Sequence, residues 1–213
     1  VGETGVRKIP APPPWIGRSS SWRQAEYAAL DFETTGLDFA RDSIVSFGVV
    51  PVVGGRARIA GSEYQLVRPA VPPTPRSQSF HLLRPQDLHD APSLEQARER
   101  LRGLLHRRFV LAWFAEVEVR FLAMLFGTGV GPWIRRTIDV RNLAIAAAGG
   151  SAGDRAEKGY ALAAQAARYG IPIASPHEAF DDALVTAQLF LVLVSKLGKR
   201  EPAVRDLVRL GRP

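Results

Sequence analysis

Cysteine is absent from the 213 residues, which excludes disulfide staples, thiolate metal sites and cysteine nucleophiles. No apolar run approaches the ~20 residues that a membrane-spanning helix needs. Arg7 and Lys8 are not followed by an apolar segment, so no secretory leader is expected. With no cysteine either, the expected setting is the cytoplasm. No internal repeat is found. Lysine is scarce as well: the formal net charge of +7 comes almost wholly from arginine. A planar guanidinium suits bidentate contacts to phosphate, and a basic surface favours polyanions. Abundant arginine, alanine and glycine also follow from a GC-rich coding sequence, so charge alone assigns no partner.

What is present suffices for one domain. Hydrophobic residues make up 46% and charged residues 23%, an ordinary globular profile, and the length suits a single sizeable core. Residues 1–22 read as an arm. Pro10, Pro12, Pro13 and Pro14 favour an extended polyproline conformation, and Trp15 and Trp22 flank a serine run as anchors to the domain surface. Residues 23–197 form the expected domain. Residues 198–213 read as a basic tail packed on it, with a short helix over Val204–Leu210.

The most informative stretch begins at Tyr27. Four apolar or aromatic residues, Tyr27–Leu30, run into Asp31-Phe32-Glu33, and Thr34-Thr35-Gly36 supplies a stop. Residues two apart on a strand share a face, so Asp31 and Glu33 stand side by side while Phe32 points away. Two carboxylates at the end of a buried strand repel each other and lose hydration. A shared proton, an arginine or a divalent cation must compensate. Taken alone, an Asp-x-Glu triplet is also what two solvent-facing acids at a strand end look like.

The following segments place the other acids. Ser43–Val53, the Gly54-Gly55 turn and Arg56–Val67 read as two further strands, giving a three-stranded antiparallel start. Pro69–Pro75 cannot be a central strand. Ser93 caps a helix that runs to about His106, and Phe109–Ala112 is a buried strand. In the helix from about Val117 to Phe126, Glu118 shares a face with Phe121, Leu122 and Leu125. An acid on that apolar stripe is costly unless paired or metal-linked, although the helix dipole also favours acids in a first turn. Glu116 should be solvated. Asp139 ends a short strand, Thr137–Val140, and caps the helix Val140–Ala148. Gly149–Lys158 is a loop, and Gly159–Tyr169 a helix ended by Gly170. Ser175 and Glu178 look like a capping box with Pro176 at the first helical position. A helix beginning there would set His177 and Asp182 about 140° apart.

The string Asp31-Phe32-Glu33-Thr34-Thr35-Gly36-Leu37 resembles the first motif of the DnaQ-like exonucleases. This DEDD superfamily trims nucleic acid from the 3′ end and includes the epsilon proofreading subunit of bacterial DNA polymerase III. Val110–Leu122 resembles the second motif, with Trp113-Phe114 in place of the usual His-Asn and Glu118 where Asp is usual. His177–Ala183 resembles the third motif of the histidine subtype, in which the His precedes the helix and the Asp lies within it. That places the helix start nearer Ala179.

The resemblance covers roughly Tyr27–Lys196. It implies an α/β, ribonuclease-H-like fold: a mixed five-stranded sheet, three antiparallel strands then parallel ones, flanked by helices. It also implies a metal-dependent 3′→5′ exonuclease with two Mg²⁺ or Mn²⁺ ions. By position, Asp31, Glu33 and Asp182 hold the first ion, Asp31 bridges to the second, and Glu118 is a ligand through water. His177 is the general base. Thr34 and Leu37 meet the 3′-terminal nucleotide, and His81, in the turn Phe80–Pro85, is a candidate substrate contact or a surface histidine. The implied partner is a single-stranded or frayed 3′ end, DNA before RNA, with no membrane. Association with a polymerase follows from the kinship. The absence of a clamp-binding peptide and the short tail after Lys196 favour a free-standing repair or turnover nuclease. The departures at Trp113, Phe114 and Glu118 keep a rival in view: a nucleic-acid-binding domain of the same fold without catalysis.

Overall fold

β1 (Glu26–Thr34) is the hub of a mixed sheet. The computed structural model describes residues 9–11, 13, 20–150, 158–198 and 201–213. Most of the expected proline-rich arm, Trp15 included, and most of the expected loop Gly149–Lys158 lie outside these residues. β1 pairs antiparallel along its length with β2 (Ile44–Val53), with Asp31 opposite Gly48. β3 (Arg56–Ala57) and β4 (Glu63–Leu66) pair antiparallel with the other edge of β2. On the far side of β1, β5 (Phe109–Ala112) and then β6 (Thr137–Asp139) add in parallel. The order is β3-β2-β1-β5-β6, with β4 also on β2.

The expected single strand over Arg56–Val67 is therefore two short ones, and Pro51 is the reason. It faces this segment from β2 and carries no N–H. The Arg58 N–H donates to the Pro51 carbonyl at 2.8 Å, but no bond can return. The chain leaves the sheet in a turn, where Ser62 N–H donates to the Ile59 carbonyl at 3.0 Å and Gly61 takes φ +86°. It rejoins β2 at Glu63.

The helices follow in order: α1 (Pro75–His81), α2 (Pro85–Leu88), α3 (Leu94–Leu104), α4 (Glu116–Phe126), α5 (Gly131–Ile134), α6 (Val140–Ala147), α7 (Leu162–Arg168), α8 (Ala179–Lys196) and α9 (Val204–Leu210). The continuous helix expected over Gly159–Tyr169 is broken into a 3-10 turn, Lys158–Tyr160, and α7. Ala161 between them is extended. The Gly159 carbonyl accepts instead from the Gln165 side chain at 2.6 Å.

Strand alternation sorts the core into two layers. Tyr27 and Ala29 of β1 face the layer built with α6, α8 and α9; Ala28, Leu30 and Phe32 face the layer built with α3, α4 and α5. β2 is buried through Val52 because both faces are covered. Gly48 lets the start of α8 lie directly on β2: a Cβ there would stand 2.1 Å from the Ala179 carbonyl oxygen. Trp22 packs edge-on against Phe190 of α8 at 5.8 Å. The last described segment returns to the sheet, with the Asp139 N–H donating to the Gly211 carbonyl at 2.6 Å and the Asn142 side chain to the Arg212 carbonyl at 2.8 Å. Among the described residues no helix is long and apolar enough to cross a membrane.

Candidate active site

Asp31 and Glu33 leave β1 on the side that α8 covers, in step with Tyr27 and Ala29. Phe32 goes the other way and meets Phe121 edge-on at 6.5 Å. The turn after β1 is stapled by Asp42. Its carboxylate accepts from the Thr35 hydroxyl and the Asp38 N–H, each at 2.7 Å. Gly36 is required beneath it, since a Cβ would stand 2.4 Å from Asp42 Oδ2. Thr34 donates its hydroxyl to the Gly36 carbonyl at 2.9 Å, and Leu37 is left 63% exposed at the rim.

Glu178, rather than Ser175, caps α8: its carboxylate accepts from the N–H groups of Phe180 (3.3 Å) and Asp181 (3.0 Å). The helix thus begins at Ala179 and Asp182 falls in its first turn. His177 stands just before it in left-handed backbone, φ 61°, and its N–H donates to Asp182 Oδ2 at 3.2 Å. This turn closes the angle that a helix starting at Pro176 would have opened. Glu33, His177 and Asp182 each offer one ligand atom within 4.8 Å of the others. Asp31 is not one of that trio, but Glu118, Glu33, Asp182 and Glu178 all lie near enough for their charges to raise its pKa. Glu118 enters from α4, buried, with Oε2 enclosed and unpartnered. Glu116, two residues earlier, turns outward to Arg120 at 2.8 Å.

Burial dominates the electrostatics. It lifts Asp31 and Glu118 well above the usual carboxylate range, neighbouring acids adding to both. It takes Glu33 to about 8, with Asp182 and Glu178 contributing. Asp182 reaches about 6, also through burial, while the charge and N–H of His177 pull it back. Among the described residues no arginine or lysine pairs with any of these four acids. Oxygen donors with one imidazole suit a hard divalent cation, and the orphaned Glu118 oxygen is a further free donor. The residues fit such an ion.

A pH dependence follows. In the unfolded chain Glu33 titrates near 4.5, and in the metal-free fold near 8. Between these values the native state holds more protons than the unfolded one, so stability falls as pH rises through the window. Thermal melts in EDTA should drop by several degrees from roughly pH 5 to roughly pH 8, and Glu33→Gln should flatten the curve. Mg²⁺ or Mn²⁺ should restore more at the upper end. An equally steep curve in Glu33→Gln would count against this.

His81 is not a surface histidine. It ends α1, which was not foreseen from the sequence, and it is buried. Its Nδ1 accepts from the Leu83 N–H at 3.0 Å, so the proton sits on Nε2. That nitrogen is fully enclosed. Asp139 caps α6 as expected, accepting from Arg141 N–H at 2.9 Å, and its second oxygen takes the Ala115 N–H at 3.2 Å. Two residues at the site were missed. Glu178, read from the sequence only as a cap, adds a carboxylate beside the others. Phe80 sets its ring edge-on to His177 at 5.6 Å, a contact that depends on α1.

The Exonuclease family model matches residues 28–190. The DNA polymerase III PolC-type protein of Thermotoga petrophila is 30% identical over 185 residues, covering 86% of this chain and 13% of that protein. The chain thus spans a small part of the curated relative's length. E. coli Exonuclease I in complex with a dT13 oligonucleotide aligns with a TM-score of 0.69 at 15% identity, over 81% of this chain and 42% of that one. The nuclease domain of 3′hExo, a DEDDh family member bound to rAMP, aligns at 0.66 with 16% identity, over 83% and 94%. The expected ribonuclease-H-like α/β architecture is the one present.

Proposed function

The chain belongs to the exonuclease family, and we propose that it removes nucleotides one at a time from the 3′ end of single-stranded or frayed nucleic acid, releasing nucleoside 5′-monophosphates. The observation that carries this reading is the convergence of Glu33, His177 and Asp182 within 4.8 Å, with Asp31 and Glu118 beside them and no arginine or lysine among the described residues paired with these acids. Asp31, Glu33 and Asp182 would hold one divalent ion, Mg²⁺ or Mn²⁺. Asp31 and Glu118 would serve a second. Bound there, the two ions would stabilise the attacking and leaving oxygens of an in-line displacement.

The chain's own residues supply the rest. His177 is exposed at the mouth of the acidic cluster, held by its N–H to Asp182 and by the Phe80 ring. Imidazole is suited to taking a proton from an attacking water near neutral pH. The turn after β1 would receive the terminal nucleotide: the Thr34 backbone on its sugar side and the exposed Leu37 against its base. We propose DNA as the preferred substrate, in line with the PolC-type relative, and a proofreading or repair setting.

The test is direct. A 5′-labelled single-stranded oligodeoxynucleotide should shorten stepwise with Mg²⁺ or Mn²⁺ and remain intact in EDTA. The same sequence as RNA should shorten more slowly. Retained binding with no shortening under either ion would support the rival, a binding domain whose catalysis was lost with Glu118 and Trp113-Phe114.

A further inference from the structure

Phe114 has no part in the chemistry above, yet it is held out of the core. Trp113 before it packs into the α8-side layer. Phe114 itself is 47% exposed and adopts φ 59°, a left-handed backbone disfavoured for any residue with a β-carbon. The turn that imposes this is fixed on its far side by the Ala115 N–H bonded to Asp139, and α4 begins two residues on. One face of the ring is backed by Arg141, whose guanidinium carbon lies 5.0 Å from the ring centroid. Arg141 is half-buried, and its Nε is enclosed without a partner. The sheet says where this pair stands. β5 runs parallel to β1 with Leu111 opposite Ala29. The turn carrying Phe114 thus joins the end of β5, the parallel neighbour of β1, to the helix that carries Glu118, which Phe114 precedes by four residues. Residues held in sparsely populated backbone conformations cluster at active sites and ligand clamps.

We propose that Phe114, backed by Arg141, is a stacking platform for a nucleobase other than the terminal one, with the guanidinium lending its charge to the neighbouring phosphate. The ring's other face takes the base, and the cation behind it strengthens the stack. The nature of the ligand rests on the nuclease reading. The geometry of the platform does not.

Oligonucleotides carrying a single abasic residue at each of the last five positions, compared in wild type and Phe114→Ala, test this. In wild type, one internal abasic position should raise KM by about tenfold. Phe114→Ala should raise KM similarly on the intact strand, and the same abasic position should then add nothing. Phe114→Trp should keep the wild-type pattern. In parallel, phosphorothioate-capped oligonucleotides with 2-aminopurine at each position should show quenching at that one position in wild type and lose it in Phe114→Ala. Equal loss on every substrate with no position-specific coupling would overturn the proposal, as would coupling confined to the terminal nucleotide. If the wild-type protein cleaves nothing, the nuclease reading fails, while the 2-aminopurine signal still decides whether Phe114 stacks on a base.

Discussion

Asp31→Asn should abolish nucleotide release and yet make the metal-free protein more stable. The two effects have one cause. Asp31 lies on a strand end where burial and the charges of Glu118, Glu33, Asp182 and Glu178 all oppose its ionised form. An acid that served only the fold would sit beside a counter-charge, and none is found among the described residues. Replacing the carboxylate by an amide of the same shape removes the repulsion without opening a cavity. In EDTA near neutral pH the variant should melt above wild type. With Mg²⁺ or Mn²⁺ the order should reverse, because ligand binding stabilises only the protein that can bind. Cleavage should fall by about 10³-fold or more, since charge stabilisation by the ions supplies several kcal/mol of the barrier and each 1.4 kcal/mol is tenfold. Melting curves in EDTA and in metal, set beside single-turnover cleavage, read out both effects. A lower melting temperature in EDTA, or cleavage within tenfold of wild type, would show that Asp31 is a structural acid.

The features that were legible before the fold was known are those whose cause is local. Tyr27–Leu30 is a buried strand because an apolar run of that length meets a stop, and period two then puts Asp31 beside Glu33. Glu118 stands out because three core residues share its helical face. Asp139 can be read as a cap from its position between a strand and an apolar helix. What was hidden depends on partners far along the chain. The proline at position 51 is plain in the sequence, but only the register shows that it faces Arg58 and costs that strand its return bond. Ser175, Pro176 and Glu178 satisfy a local capping pattern. The structure uses Glu178 alone, because the start of α8 is set by its seat on β2. His81 could not be placed without α1, and Phe114 meets Arg141 only because β5 and β6 pair in parallel. Local pattern thus found the acids, and long-range packing decides which of them converge.

That seat is the basis of the second large effect: Gly48→Ala should cripple the site by displacing the start of α8. The added methyl would stand 2.1 Å from the Ala179 carbonyl oxygen, 2.3 Å from its carbon and 2.5 Å from Phe180 Cα. All three are backbone atoms, so no side chain can rotate away. β2 cannot yield easily either, since Gly48 is paired with Asp31 on one edge and Tyr64 on the other. The first turn of α8 must move instead, carrying Asp182 with it and releasing His177 from its bond to Asp182. Overpacking of this kind costs about 1–3 kcal/mol, and a displacement of about 1 Å at reacting groups costs on the order of 10² in rate. Gly103→Ala is the matched control. Gly103 lies on the exposed side of α3 with nothing within 4 Å of a new Cβ, and alanine there should stabilise by about 0.5–1 kcal/mol. Thermal melts and steady-state kinetics on the pair should therefore move in opposite directions in stability, with kcat falling in Gly48→Ala alone. If Gly48→Ala instead matched wild type in both, α8 would have slack over β2. The convergence of Asp182 on Glu33 would then not depend on the contact between them.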